Sequence, residues 1–346
     1  MITLLKIAVS LGLMAYLFSR MELATLGATL EAANYLYLVP AALLFLGAMT
    51  SAAAKWYVLL RAQGVEIPFR AVLSYTYVGF FFNNFLPANV GGDMMRGYGL
   101  ARYTEQAAEA AVSVVVDRLV GLIAFMIAAL IAAVVAAVAM QRAELQGIEL
   151  AAGLGSLILV GCFALLLSRR VRGQLGRLFA RPPLARLYPL YSRLSQALGA
   201  YRHRYAALAL ALGISWFTLT LTNFTDYCIA QSLGGGLPLI YIFIFNPIIA
   251  FVLLVPVSIG GLGVTQAAYP FFYGLMDVRL ANLAFAVSLL KQLIIYLTSL
   301  PGGVLWWRGR AGAGEGARSH LPPRAVSDRP YPVVTPSSAD STESQG

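Results

Sequence analysis

One interrupted apolar stretch constrains the fold more than any other part of the sequence, and it reads Phe80-Phe81-Phe82-Asn83-Asn84-Phe85-Leu86-Pro87-Ala88-Asn89-Val90-Gly91-Gly92-Asp93. Proline and paired glycines break a helix. Inside a membrane, non-helical backbone is stable only where protein buries it or where it lines a water-filled cavity. The stretch therefore predicts a broken or re-entrant helical hairpin in the interior of a membrane protein. A helix that begins at the glycine pair would present its N–H groups to an anion such as a lipid phosphate.

The composition of the whole chain agrees with a membrane location. Of the 346 residues, 59% are hydrophobic and 12% are charged, and the mean hydropathy is +0.74. Soluble domains average about 45–50% apolar and about 25% charged residues. This balance excludes a soluble enzyme, a secreted disulfide-rich domain and a nucleic-acid-binding module. We assign the net charge of +10 to membrane topology and to contact with anionic lipid headgroups.

Apolar segments long enough to cross a bilayer, which takes about 20 residues, occur six times along the chain. They cover residues 2–18, 35–60, 112–140, 148–167, 205–233 and 280–307. Two more apolar segments, residues 71–86 and 239–276, are interrupted by proline, asparagine and glycine. Together these segments predict an all-α integral membrane protein: a polytopic bundle of about 6–8 transmembrane helices with two broken or re-entrant hairpins.

Arginine-rich segments indicate the orientation of this bundle. Residues 169–204 contain nine arginines, and the positive-inside rule places this loop in the cytoplasm. Two interpretations of the loop stay open: a helix that lies on the membrane and holds anionic lipid, or an ordinary basic loop. The transmembrane domain is predicted over residues 1–308. Residues 309–346 are rich in Gly, Pro, Ser and Arg and are predicted to form a disordered tail, with both termini cytoplasmic and the bundle in the plasma membrane.

The sequence offers little for metal or cofactor chemistry. Its two cysteines, Cys162 and Cys228, lie in apolar segments, and its two histidines, His203 and His320, lie in the basic loop and the tail. Neither an ATP-binding glycine loop nor a zinc-protease or serine-hydrolase motif occurs. We therefore predict no metal, no cofactor and no catalytic residues.

An internal repeat relates the two halves of the chain. The segment 87–92, Pro-Ala-Asn-Val-Gly-Gly, matches the segment 256–261, Pro-Val-Ser-Ile-Gly-Gly, 169 residues later. The same displacement moves the span at 35–60 onto the span at 205–233, which defines half-repeats over about 35–140 and 204–308. Since the basic loop precedes the second half and basic residues follow the first span, the halves are predicted to be inverted. Inverted repeats with broken helices at matching positions are typical of transporters with a midplane binding site.

Charged residues inside or beside the spans are expensive and need partners. Asp93 and Arg96 follow the glycine pair at a spacing of three residues, which allows them to pair. We predict instead that Asp93 pairs with Arg118, which would leave Arg96 or Arg102 available for a headgroup phosphate. In the second half, Asp226 near the end of one span and Lys291 in the middle of the last span are predicted to neutralise each other. The alternative is that these are structural ion pairs that only fix the register of the helices.

Three motifs occur in the order found in a known family. They are Phe82-Asn83-Asn84-Phe85-Leu86-Pro87 through Gly91-Gly92-Asp93 and Arg96, then Asp117-Arg118 with Gly121, then Pro256-Val257-Ser258-Ile259-Gly260-Gly261-Leu262-Gly263-Val264. Over residues 1–308 the chain resembles the lysylphosphatidylglycerol synthase transmembrane region, the flippase-like half of the multiple peptide resistance factor. The resemblance implies a plasma-membrane protein that moves lipids or lipid-linked molecules between leaflets. Two-domain members carry a soluble aminoacyltransferase, and synthesis of an aminoacylated lipid is not expected from this chain. Thr265-Gln266 stands where the family has an acidic or polar residue.

The leading hypothesis is a transporter, not an enzyme, that translocates an anionic or aminoacylated lipid. Its partners would be membrane lipids, especially anionic headgroups, and not nucleic acid; a homo-oligomer stays open. The alternatives are an integral-membrane enzyme that acts on a polyprenyl-phosphate-linked substrate and a membrane scaffold. The predicted binding residues are Asn83, Asn84, Asn89, Gly91, Gly92, Asp93, Arg96, Asp117, Arg118, Asn223, Asp226, Ser258, Gly260, Gly261, Gln266 and Lys291.

Overall fold

The computed structural model describes residues 12, 23–85, 91–140, 161, 168–179, 188–201, 203–253 and 260–315. Its α-helices are α1 (Leu23–Glu31), α2 (Leu38–Gln63), α3 (Phe69–Phe85), α4 (Gly91–Thr104), α5 (Ala107–Met140), α6 (Arg169–Phe179), α7 (Tyr188–Gly199), α8 (Tyr205–Ser232), α9 (Leu239–Val252), α10 (Val264–Gly274) and α11 (Val278–Glu315). A single 3₁₀ turn, Tyr35–Tyr37, leads into α2. No strand occurs in these ranges, which confirms the all-α class.

Four stretches in the described part of the chain are long and apolar enough to cross a membrane: Tyr35–Gln63, Ala107–Ala132, Tyr205–Ser232 and Val278–Arg308. They coincide with four of the six predicted spans. The other two, residues 2–18 and 148–167, lie outside the described residues apart from Gly12 and Gly161.

The two interrupted segments each form a pair of short helices. In the first half these are α3 and α4, and in the second half α9 and α10. Helices of 17, 14, 14 and 11 residues rise by about 26, 21, 21 and 17 Å, less than the roughly 30 Å of hydrocarbon in a bilayer. Displacing the bounds of α2, α3 and α4 by 169 residues gives 207–232, 238–254 and 260–273. These lie within four residues of α8, α9 and α10.

The first helices of the two halves, α2 and α8, pack along each other in opposite directions. Thr218 Oγ1 donates to Ser51 Oγ at 2.9 Å between the two helices. Residues that flank the helices continue the contact at both ends, with Asn34 N to Ser232 O at 2.7 Å and Tyr201 OH to Gln63 Oε1 at 3.1 Å. Residue numbers fall on α8 as they rise on α2, so the helices are antiparallel. Burial raises the pKa of the Tyr201 phenol, which therefore stays protonated and keeps donating to Gln63.

Each pair of short helices also packs against the last long helix of the other half. Helix α5 packs against α9. Helix α11 approaches α3 so closely that a Cβ atom on Gly302 would lie 2.0 Å from the Tyr77 carbonyl oxygen. The largest buried apolar cluster joins α8, α9, α10 and α11 around Phe245 and Phe285, neither of which is exposed. The two halves are therefore interlocked through their short helices.

The basic loop contains two helices, α6 and α7, which pack against each other. Arg170 and Arg177 of α6 are exposed.

The chain divides into a unit that ends at Trp306 and a second unit, Trp307–Gly346. Helix α11 continues to Glu315, so helix covers residues 309–315, which the sequence assigned to a tail. The rest of the predicted tail, residues 316–346, lies outside the described residues.

Candidate functional site

The first helix break is held by close backbone contact between α3 and α4. Asn83 Oδ1 accepts a hydrogen bond from the Gly92 N–H group at 2.9 Å. A Cβ atom on Gly92 would lie 1.9 Å from the Gly79 carbonyl oxygen, so only glycine lets the two helices approach this closely. Gly91 and Gly92 are both buried at the start of α4. The predicted residue Asn89 lies outside the described residues.

The second helix break meets the first. Gly260, Gly261 and Gly263 have φ angles of 55°, 77° and 85°, in the left-handed region that favours glycine. A Cβ atom on Gly260 would lie 3.1 Å from the carbonyl oxygen of Asn84, at the end of α3. Gln266 Oε1 accepts from the Gly263 N–H group at 2.6 Å, so Gln266 fixes the start of α10. The predicted residue Ser258 lies outside the described residues.

Five charged residues form one cluster beside the first break, which we call the charged cluster: Lys55, Asp93, Arg96, Asp117 and Arg118. Arg96 bridges both carboxylates, with Nη2 at 3.0 Å from Asp93 Oδ1 and Nη1 at 2.8 Å from Asp117 Oδ2. Lys55 Nζ lies 3.0 Å from Asp117 Oδ1, and Arg118 Nε donates to Asp93 Oδ2. The cluster joins α2, α4 and α5.

The charged cluster is deep in the bundle. Lys55 lies eight residues before the end of α2 and Asp117 ten residues after the start of α5, which corresponds to about 12 and 15 Å of helix rise. The side chains of Lys55, Arg96 and Asp117 are 12%, 9% and 6% exposed. The Arg96 guanidinium lies 5.0 Å from the ring centroid of the buried Trp56, a cation–π contact that suits a desolvated cation.

A cavity of about 400 Å³ opens onto the charged cluster. All five cluster residues line it, together with Thr76, Gly79, Phe80 and Asn83 of α3. The second half contributes Ser215, Thr218, Leu219 and Thr222 of α8 and Ala250 of α9. The cavity therefore lies where the two halves meet.

The cavity passes from a charged end to an apolar end. Helices α2 and α5 are antiparallel along its wall, because Lys55 pairs with Asp117 whereas Gln63 Nε2 donates to the Glu109 carbonyl oxygen at 3.1 Å. Lining residues that precede Lys55 on α2 are therefore level with those that follow Arg118 on α5. They are Met49 and Ala52 on α2 and Leu122, Ala124 and Phe125 on α5. The change from charge to hydrocarbon takes about 9–10 Å of helix rise.

A second polar cluster, the Asp226 cluster, lies among α8, α9, α10 and α11. Asp226 Oδ2 accepts from Asn246 Nδ2 at 2.6 Å, Tyr269 OH at 2.6 Å and Lys291 Nζ at 2.8 Å. Lys291 Nζ also donates to Tyr269 OH at 2.7 Å, and Asn246 Nδ2 donates to Asn223 Oδ1 at 3.0 Å. Asp226 is 1% exposed, so this is a buried, charge-balanced network.

The two clusters lie on opposite sides of the contact between Ser51 and Thr218. Lys55 follows Ser51 by four residues toward the Gln63 end of α2, and Asp226 follows Thr218 by eight residues toward the opposite end of the bundle. These spacings correspond to about 6 and 12 Å of helix rise.

The structure confirms both predicted ion pairs, Asp93 with Arg118 and Asp226 with Lys291. The prediction that Arg96 or Arg102 is left available holds only in part for Arg96, because both of its amino groups bind carboxylates and its Nε atom alone has no partner. Arg102 is exposed on the last turn of α4 and does not line the cavity.

Other predicted residues fall into three groups. Asn83 and Gly92 line the cavity, whereas Asn223 lies in the Asp226 cluster and Gln266 and the glycines of the second break shape the backbone.

Sequence reasoning missed Lys55, Asn246 and Tyr269. Lys55 stands as a lone lysine within an apolar span, a signal that could have identified it. Asn246 precedes a proline in a broken apolar segment, a weaker signal. Tyr269 is one of 18 tyrosines, and nothing in its sequence context distinguishes it.

Within the described ranges, no group of three or more His, Cys, Asp or Glu side chains is arranged to hold a metal ion. A family model described as "Lysylphosphatidylglycerol synthase TM region" matches residues 3–302. No curated protein and no solved structure matches the chain.

Proposed function

Because the chain belongs to the family of the lysylphosphatidylglycerol synthase transmembrane region, a family of membrane lipid-related proteins, we propose that it moves a phosphate-bearing lipid between the two leaflets of a bilayer. The observation that carries this proposal is the cavity between the halves. Its charged end suits a phosphate, since guanidinium groups bind phosphate oxygens in pairs. Its apolar end, with Leu122, Phe125 and Met49, suits the start of the acyl chains.

The arrangement of the halves supports transport rather than catalysis. Antiparallel packing of α2 on α8 is what inverted repeats would produce, and the cavity lies at their junction. In such a protein one half rocks against the other and exposes a central site to each leaflet in turn. The interlocked short helices would move with that rocking.

The proposal includes the orientation of the protein in the membrane and the energy source for lipid movement. We place the protein in the plasma membrane with the Gln63 end of α2 and both termini toward the cytoplasm, because of the arginines near that end and in the basic loop. Without an ATP-binding motif, the lipid gradient or a proton gradient would drive movement, and buried carboxylates such as Asp226 are the groups that could carry protons.

The test is translocation in liposomes. Purified protein is reconstituted with lipids that carry a fluorescent headgroup, and a membrane-impermeant quencher reports which leaflet holds them. We expect movement above that of protein-free liposomes and about tenfold slower movement with Arg118→Ala, since Arg118 is half exposed and lines the cavity. Arg61→Ala is the matched control, because Arg61 is exposed at the end of α2 and outside the cavity. Equal rates with protein, without protein and with every labelled lipid would reject the proposal.

A further inference from the structure

The geometry points to a selective cavity that takes a headgroup with a net negative charge and no amine, a phosphate ester or diester, and excludes aminoacylated and zwitterionic headgroups. This inference rests on the proposed function and concerns the same cavity. It separates two substrates that the sequence leaves open, an anionic lipid and an aminoacylated one. Three observations on the charged cluster carry it.

The first observation is the charge balance of the cavity wall. Three cations, Lys55, Arg96 and Arg118, face two carboxylates, Asp93 and Asp117. The described lining therefore carries one positive charge in excess. In a partly desolvated site this excess favours a ligand with one negative charge, because electrostatic interactions there are stronger than in water.

The second observation is that every carboxylate oxygen in the cavity already faces a cation of the protein. Arg96 occupies Asp93 Oδ1 at 3.0 Å and Asp117 Oδ2 at 2.8 Å. Arg118 occupies Asp93 Oδ2, and Lys55 lies 3.0 Å from Asp117 Oδ1, a buried oxygen that faces this cation but accepts no hydrogen bond. An incoming ammonium group would have to displace a guanidinium or a lysine from its carboxylate to find a counter-charge.

The third observation is a buried donor without an acceptor. Arg96 Nε is buried and has no hydrogen-bond partner, although both Nη atoms of the same side chain are paired. The Arg96 side chain is only 9% exposed and lines the cavity. Guanidinium groups carry donors and no acceptor, so any partner of this atom has to be an acceptor, as a phosphate or water oxygen is. An amine cannot fill this role.

The charge of each lipid headgroup determines how well it fits the cavity. A phosphodiester of glycerol carries one negative charge. A lysyl ester on that glycerol adds two ammonium groups and makes the headgroup positive, and an ethanolamine makes it neutral. The phosphodiester without amine matches the cavity in both charge and hydrogen-bond type. Soluble glycerol 3-phosphate offers a phosphate monoester, which carries more negative charge than the diester, and it leaves the apolar end of the cavity without acyl chains.

The test compares these ligands on one protein in nanodiscs of phosphatidylcholine. Native mass spectrometry counts bound phosphatidylglycerol, its lysyl ester and soluble glycerol 3-phosphate, and the liposome assay repeats the comparison for movement. We expect phosphatidylglycerol to bind at least about tenfold more tightly than the other two. Arg118→Gln removes the excess charge and should bring the ratio of phosphatidylglycerol to lysyl ester close to one, whereas Arg61→Gln should keep it. Thermal unfolding in detergent shows that both variants are folded.

Each outcome supports or overturns the headgroup selectivity, the proposed lipid translocation or both. Equal or tighter binding of the lysyl ester overturns the inference and leaves lipid translocation standing. Equal binding of glycerol 3-phosphate overturns the lipid as the source of the phosphate. Selective binding of phosphatidylglycerol without movement of any lipid supports the inference on headgroup charge and rejects the proposed function.

Discussion

Lys55 Nζ lies 3.0 Å from Asp117 Oδ1 and 3.1 Å from the Asp117 carbonyl oxygen, so one ammonium group joins α2 to α5. In the second half the corresponding helices, α8 and α11, are joined by Asp226 and Lys291 at 2.8 Å, with the two charges exchanged. A buried pair costs less than either charge alone. Each half therefore connects its own long helices through an ion pair in the interior.

Breaking the pair in the first half should destabilise the protein. Asp117→Asn removes the carboxylate from both Lys55 and Arg96, and we expect a loss of roughly 3–5 kcal/mol in the free energy of unfolding because a buried cation is left uncompensated. The measurement is denaturant unfolding in detergent micelles.

The double variant K55M/D117N is the internal control for that prediction. It removes both members of the pair, while Arg96 keeps Asp93, so it should recover at least half of the lost stability. If the double variant loses as much stability as the two single variants together, Lys55 and Asp117 do not stabilise each other.

The Tyr269 hydroxyl should stabilise the Asp226 cluster. It donates to Asp226 and accepts from Lys291 at 2.6 and 2.7 Å, so Tyr269→Phe leaves buried charged groups with one partner fewer. We expect a loss of about 1–3 kcal/mol in the free energy of unfolding. Tyr273→Phe is the matched control, since that hydroxyl lies 3.4 Å from Asn246 Oδ1, and it should cost clearly less. Equal losses for both variants would contradict the assigned network.

The backbone contact at the first break should tolerate no side chain. Gly92→Ala places a Cβ atom 1.9 Å from the Gly79 carbonyl oxygen, so α3 and α4 must separate, and the shift should reach Asp93 and Arg96 on the same helix. We expect a cost of about 1–3 kcal/mol in stability together with loss of lipid movement in liposomes. Gly97→Ala, on the same helix, meets only Val114 Cγ2 at 3.5 Å and should behave like the unaltered protein. Full transport by Gly92→Ala would show that the close approach is dispensable.

Local signals made most of the fold predictable. Apolar runs gave the long helices α2, α5, α8 and α11, and Pro, Asn and Gly marked both interruptions. The pairs Asp93–Arg118 and Asp226–Lys291 followed from the rule that an intramembrane charge needs a partner. The same rule applied to Lys55 would have added it to the site.

Other features depend on how helices cross, which the sequence does not state. Adjacent residues on a helix point about 100° apart, so whether Asp117 faces Arg96 is decided by the rotation of α5 against α4. Tyr269 and Asn246 join the Asp226 cluster only because α9 and α10 fold back onto α8. The periodicity and composition of the sequence therefore do not predict these contacts.

The membrane topology of two connections tests whether the two halves are inverted. Gln106 and Asp277 are exposed residues in the connections that precede the last long helix of each half, α5 and α11. If the halves are inverted, these connections face opposite sides of the membrane. In a background without Cys162 and Cys228, a membrane-impermeant maleimide added to intact cells should label Asp277→Cys, and it should label Gln106→Cys only after permeabilisation. Labelling of both positions from one side would mean that the halves share one orientation, and the rocking mechanism would then lose its structural basis.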